Sequence, residues 1–283
     1  VGPELLDYDL GELDELYIKT LNTIIGQTKE DGFVGARYKP AIYVKDDKKE
    51  EFRKTLEAAG MDETDLNTAQ ANLSKFMKRL LVMRFESSKE AFRVTLSKMI
   101  ASNELIEDWW NNLGKIPIQK KGQIPDADSF IENTDDNFSN QFDQEFFEEE
   151  LEKHSTKGLL AIDKSLIKDE FIIKVRADRA LLCSIRDEWF GEDSPTKNLD
   201  PKTDGVVTHI EEKLRENRDR KLIIFSAYAD TVDYLYKQMQ NRGKQRIFKY
   251  TAADSSVQNK KIIEENFNAG YKKERKNDYD VLI

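Results

Sequence analysis

Ser226, Asp230 and Thr231 stand close together in KLIIFSAYADTVDYL, which runs from Lys221 to Leu235, and Thr251, Asp254 and Ser255 follow in TAADSS. Hydroxyls placed where a helix begins can join free backbone N–H groups in binding phosphate oxygens, so both loops read as phosphate-contact candidates. Asp230 and Ser255 also have a plainer reading as helix caps, which these residue types commonly supply. Neither loop carries the glycine spacing of a dinucleotide fingerprint, and neither has the Gly-Lys-Thr or Gly-Lys-Ser of a phosphate-cradling loop. The tail therefore holds no nucleotide in either of those ways. His154 and His209 are the only histidines and Cys183 the only cysteine, which leaves no Ser/His/Asp set, no zinc-ligand spacing and no internal disulfide. Cys183, beside Leu181, Leu182 and Ile185, reads as a small buried hydrophobe. With 54 Asp and Glu, paired carboxylates single out nothing. The chain contains no self-contained catalytic constellation.

The elements that must position those loops alternate. Apolar runs at 222–225, 246–251 and 280–283 are separated by the helical patterns TVDYLYKQMQNRG and VQNKKIIEENFNAG. Continuous apolar strands between helices predict a parallel sheet covered on both faces. Right-handed crossovers then bring the loops 226–230 and 251–256 to one edge of that sheet. The unit reads as a parallel α/β layer that stops partway, at YDVLI.

Upstream, helical spacing dominates. GELDELYIKTLNTIIG reads as one amphipathic helix closed by Gly26, and EEFRKTLEAAG as another closed by Gly60. DLNTAQANLSKFMKRLLVMRF reads as a longer helix. ARYKPAIYVK is interrupted by Pro40 and reads as extended or irregular. Ser87 with Glu90 three residues on predicts a capping box and a new helix from about Ser88. Trp109 and Trp110, adjacent on a short helix, are not expected to face one core together. KSLIKDEFIIKVRADRALLCSIRDEWFG carries Phe171, Val175, Leu182, Ile185 and Trp189 on one helical face, and Asp200 with Pro201 starts a helix to about Glu216.

Composition divides the chain into a helical region 1–113, an acidic linker 114–160, a helical connection 161–218 and the α/β tail 219–283. In the linker, Phe138, Phe142, Phe146, Phe147 and Leu151 recur at helical spacing among acidic residues, so that part reads as a docking helix or as a site for a basic protein partner. The formal charge is −9 overall, but from Lys221 onward 12 Lys and Arg face 8 Asp and Glu, a local excess of +4. The tail is thus the better candidate for a polyanion surface. No run of eighteen apolar residues occurs and the first residues are acidic, so a cytoplasmic protein without a membrane span is expected.

KLIIFSAYADTVDYL, the KYT of 249–251, the pair Phe267 and Asn268, and YDVLI resemble, in that order, the second RecA-like lobe of superfamily 2 helicases, most closely the Swi/Snf-like branch. Asp200-Pro201-Lys202 is similar to the DPK that opens the helix before this lobe, and LLVMRFESSKEAF to a segment that bacterial helicases of this type carry between their lobes. The resemblance covers residues 200–283 well and the rest loosely. It implies an α/β fold with a mostly helical interlobe region and part of a RecA-like parallel sheet. It further implies a parent that is an ATP-dependent DNA helicase or translocase, using ATP and magnesium and acting on duplex DNA. By that likeness Ser226, Tyr228 and Thr231 approach the nucleic-acid backbone and Thr251 lies in the following polar loop. Ala252 and Ala253 stand where relatives often show Gly-Ser. The phosphate-binding loop and the acidic magnesium motif of the first lobe are not in this chain, so hydrolysis of ATP by it alone is not expected. An adaptor that binds a basic partner through the segment around Glu148 and Glu152 is the rival reading.

Overall fold

A computed structural model describes residues 5–26, 32–119, 159–197 and 199–283. The chain is α/β: a mostly helical N-terminal region is followed by a small parallel sheet of three strands with helices. It divides into two compact units, neither contiguous. One comprises Glu15–Arg84 and Arg93–Ser194, the other Val1–Asp14, Phe85–Phe92 and Pro195–Ile283.

The first of these is the helical unit. Helix α1 (Asp14–Ile25) follows a 3-10 turn, and Gly26 closes it at φ 76°, a conformation that costs glycine nothing. Helix α2 (Lys49–Ala58) precedes Gly60, and α3 spans Glu63–Ser87. Helix α4 (Lys89–Asp108) runs into a π-helical turn, Trp109–Leu113. Both tryptophans of that turn are buried, at 9% and 7% exposure, and Trp110 belongs to the core around Phe171. The wider π turn brings successive residues closer to one side than an α-helix does. Residues 36–43 are not extended but form two consecutive 3-10 turns, with Pro40 at the first position of the second, where its missing N–H is harmless.

The stretch read as a linker begins and ends in strands: β1 (Lys115–Gln119) pairs antiparallel with β2 (Leu159–Asp163). Ile116 and Ile118 alternate with Pro117 and are buried, as is Ile162 opposite Ile116. A two-stranded ribbon leaves each strand one unpaired side, which is how Pro117 is accommodated. The acidic helix expected through Phe138, Phe142, Phe146, Phe147 and Leu151 lies outside the described residues, as does His154.

Helix α5 (Glu170–Phe190) buries the five apolar residues of its predicted face. Phe171, wholly buried, meets Tyr43 edge-on at 5.6 Å between ring centres and Trp110 at 5.9 Å, at the middle of a core that includes Phe52, Leu56, Ile116 and Ile162. Cys183, on the same helix, is half-buried.

Burial first, then the charges of Glu170 and Asp178, push the Tyr43 hydroxyl up to about 12 from its ordinary 10.0. Below pH 10 both folded and unfolded chains keep this phenol neutral. Above it the unfolded chain ionises first, so stability falls between pH 10 and about 12. Tyr43→Phe is expected to recover about 1 kcal/mol of the alkaline loss at pH 11, read as the difference between unfolding midpoints at pH 8 and pH 11. An identical alkaline loss in both proteins would contradict this.

In the second unit, helix α6 (Pro201–Glu216) leads to β3 (Leu222–Ile223), α7 (Ala229–Asn241), β4 (Ile247–Phe248), α8 (Val257–Phe267) and β5 (Val281–Leu282). The strands are parallel in the order β3-β5-β4. The ladder continues past the short strands, with Ile224 N donating to Leu282 O at 2.8 Å and Tyr250 N to Ile283 O at 2.9 Å. Ile283 is therefore inside the sheet, buried and paired. From β3 to β4 the chain moves across the sheet one way and from β4 to β5 it moves back, so right-handed crossovers place α7 and α8 on opposite faces.

The face under α6 and α7 is a closed core of Val207, Ile210, Val232, Leu235, Met239, Ile247, Val281 and Ile283. The opposite face is only partly covered. There the Lys221 ammonium sits 5.8 Å from the Phe267 ring of α8, while Ile223 and Phe225 stay 46% and 90% exposed. Coverage of both faces, expected from the apolar strands, holds fully for one.

Among the described residues no helix is long and apolar enough to cross a membrane.

Candidate functional site

The parallel sheet brings the loops after β3 and β4 to its C-terminal edge, as their order required. Ser226 leaves β3 exposed. Its hydroxyl accepts the Tyr228 N–H and donates to the Tyr228 carbonyl, both at 3.2 Å, a turn closed by its own side chain. Tyr228 is the N-cap of α7 in extended conformation, without a side-chain cap, and is buried at 8% exposure. Asp230 follows in the first turn of α7, where a carboxylate is favoured by the helix dipole.

Thr231 points elsewhere. Its hydroxyl lies 2.8 Å from the Ser87 Oγ and 2.9 Å from the Ser88 Oγ. Ser88 also caps α4, accepting the Ala91 N–H at 3.1 Å. The helix junction is therefore where the spacing put it, but Ser88 makes the cap in place of the Ser87 and Glu90 pair. Of the four residues singled out for nucleic-acid contact, Thr231 thus spends its hydroxyl on the α3–α4 junction, within the same unit.

Thr251 is engaged as well. Its N–H and its hydroxyl both donate to Asp254 Oδ2, at 3.0 and 2.8 Å. These bonds, with the charge of Lys249, hold the Asp254 carboxyl below its usual range. Asp254 thus occupies the donors that a phosphate would otherwise meet. Ser255 accepts from the Tyr250 hydroxyl at 3.2 Å, and Ser256 caps α8 by accepting the Asn259 N–H at 3.1 Å. Lys249 joins the two loops: its ammonium pairs with Asp233, one turn into α7, at 2.6 Å, and stands 4.0 Å from Asp254. Sequence reasoning missed this link, since Lys249 and Asp233 become neighbours only once β4 and α7 are packed.

Behind the edge, Asp200 fixes α6 to α7. One carboxylate oxygen accepts the Thr203 N–H at 3.1 Å and the other the Tyr234 hydroxyl at 2.7 Å. Burial, then the bond to Asp200, pushes the Tyr234 hydroxyl well above its ordinary range. Lys202 of the same DPK donates to the Glu86 carbonyl at the end of α3. The edge therefore offers the exposed hydroxyl of Ser226 beside the N-terminal turn of α7, and those of Ser255 and Ser256 in an internally bonded second loop. Such an arrangement can grip an oxyanion from one side. Among the described residues no group of three or more His, Cys, Asp or Glu is placed to hold a metal ion.

Comparison of the chain with family models, with curated proteins and with solved structures finds no match.

Proposed function

We propose that this chain is the nucleic-acid-gripping part of an ATP-dependent DNA helicase or translocase of the superfamily 2, Swi/Snf-like kind, acting in the cytoplasm on duplex DNA. ATP and magnesium would be handled by the whole protein, and the chain alone would be inactive in hydrolysis. The observation that supports this reading best is the parallel sheet whose C-terminal edge carries both polar loops, in the motif order quoted above. Of the four candidate residues, Ser226 is the one most free to meet a phosphate, being exposed and bonded only within its own turn. Tyr228, Thr231 and Thr251 contribute by fixing the loop geometry.

Ser226→Ala is expected to weaken duplex DNA binding by about threefold to tenfold, the worth of one hydroxyl hydrogen bond. The circular dichroism spectrum should stay unchanged. Fluorescence anisotropy with a labelled duplex measures this, and equal affinities of variant and parent chain would remove Ser226 from the interface.

A further inference from the structure

The chain is acidic overall, yet several of its stretches contain no carboxylate, two of them at 32–45 and 66–85. Residues 32–45 carry Arg37, Lys39 and Lys45, and residues 66–85 carry Lys75, Lys78, Arg79 and Arg84, with no Asp or Glu in either. The fold packs these stretches on each other within the helical unit. The Ser74 hydroxyl donates to the Val34 carbonyl at 2.9 Å, and the Ala41 N–H donates to Gln70 Oε1 at 2.9 Å. Gly35 lies so close that a Cβ there would stand 2.8 Å from the Ser74 Oγ.

Lys39 and Lys78 are half-buried along this contact, Lys75 is exposed one turn earlier on α3, and half-buried Lys174 comes in from α5. Among the described residues none of these four lysines makes an ion pair. Burial holds Lys39 below its usual range, with the charge of Asp178 opposing that fall and repulsion from Lys78 and Lys174 adding to it. The carboxylate that faces both Lys39 and Lys78 is Asp178, and its oxygens are already taken by the N–H groups of Val34 and Ala36, at 2.7 and 2.8 Å. Lys39 and Lys78 share the one charge of Asp178, and the four cations gathered from three elements outnumber it.

We propose that the face formed by Lys39, Lys75, Lys78 and Lys174 binds the phosphate backbone of duplex nucleic acid. Separate ammonium groups on rigid elements match a row of phosphates, each met as a point charge, whereas peptide carboxylates are better held by guanidinium forks. The contact is independent of base sequence and releases counterions. It is a second surface for the ligand proposed above and does not involve the sheet edge.

The test is the salt dependence of binding of the full chain to a labelled random-sequence duplex, comparing the parent with the triple variant Lys39→Gln, Lys75→Gln, Lys174→Gln. Lys78 is left in place because its ammonium also donates to the Ile25 carbonyl at 2.5 Å. The slope of log affinity against log salt is expected to fall in magnitude by about 3, with binding at least about tenfold weaker. The matching Lys→Arg triple variant should restore both, which separates loss of charge from loss of fold. An unchanged slope in the Gln variant, or no recovery with Arg, overturns the proposal. So does a result in which a peptide spanning residues 135–152 needs these lysines while the duplex does not. If the parent chain binds no duplex at all, this proposal and the sheet-edge reading fall together. If Ser226→Ala has no effect while the lysine variant behaves as described, the sheet-edge reading alone falls.

Discussion

Asp178→Ala is expected to destabilise the helical unit by about 3–5 kcal/mol, because it strips a buried carboxylate from the N–H groups it satisfies. Asp178 is 2% exposed in the middle of α5. Its Oδ1 accepts the Val34 N–H at 2.7 Å and its Oδ2 the Ala36 N–H at 2.8 Å, and the intervening Gly35 N–H also bonds to it. Gly35, at φ 65°, turns these successive N–H groups toward one point, a concavity that suits an anion. Here the anion is supplied by the chain itself. Burial raises the Asp178 carboxyl above its usual range, and the three backbone N–H groups oppose that rise. With alanine in place, the N–H groups keep their burial and lose their acceptor. Asparagine keeps one acceptor oxygen and turns an amide donor toward the others, so it should cost about 2–3 kcal/mol.

Trp109, Trp110 and Trp189, the only tryptophans, all belong to the helical unit, so intrinsic fluorescence during urea unfolding reports on that unit specifically. A midpoint shift worth less than about 1 kcal/mol would mean that the turn at Val34–Ala36 finds other partners.

Asp200→Ala carries the second largest expected effect, about 2–3 kcal/mol, and it acts on the other unit. Loss of the N-cap of α6 accounts for about 1 kcal/mol. The Tyr234 hydroxyl, left half-buried without its acceptor, accounts for about 1–2 kcal/mol more. Tyr234→Phe removes donor and need together and should cost only about 1 kcal/mol. A double-mutant cycle over the pair should then return a coupling of about 1 kcal/mol. The signal to follow is the unfolding midpoint read by circular dichroism. Additive effects of the two substitutions would mean that the 2.7 Å contact contributes nothing to stability.

The capping role of Asp200 was legible in the sequence, because Asp-Pro before a helical pattern states both a cap and a first helical position. Its bond to Tyr234 was not, since nothing local connects residues 34 positions apart. Asp178 had a signal that the reading passed over. Phe171, Val175, Asp178, Leu182, Ile185 and Trp189 are spaced by four and three in turn, so Asp178 occupies a place in an apolar stripe. A carboxylate there must be buried and must find donors. The parallel sheet was legible from three apolar runs between helices. Its order was not, because the position of β5 between β3 and β4 depends on which helix covers which face. The β1–β2 ribbon was hidden by Pro117 and by the long polar segment that separates its strands. For the phosphate-contact candidates, sequence supplied the residue types and the sheet edge. The internal bonds of Thr231 and Thr251 depend on tertiary packing with Ser87, Ser88 and the turn to Asp254.

The hydroxyl contact between Ser87 and Thr231 joins positions 144 residues apart, and Lys202 reaches the Glu86 carbonyl across 116. During synthesis at about 5–20 residues per second, the octapeptide around Ser88 leaves the ribosome several seconds or more before the stretch that receives it. A fragment starting at Pro195 would lack that octapeptide altogether. Such a fragment should be a poor substitute for the native unit, and cloning boundaries that respect the composition of the tail would cut through its architecture.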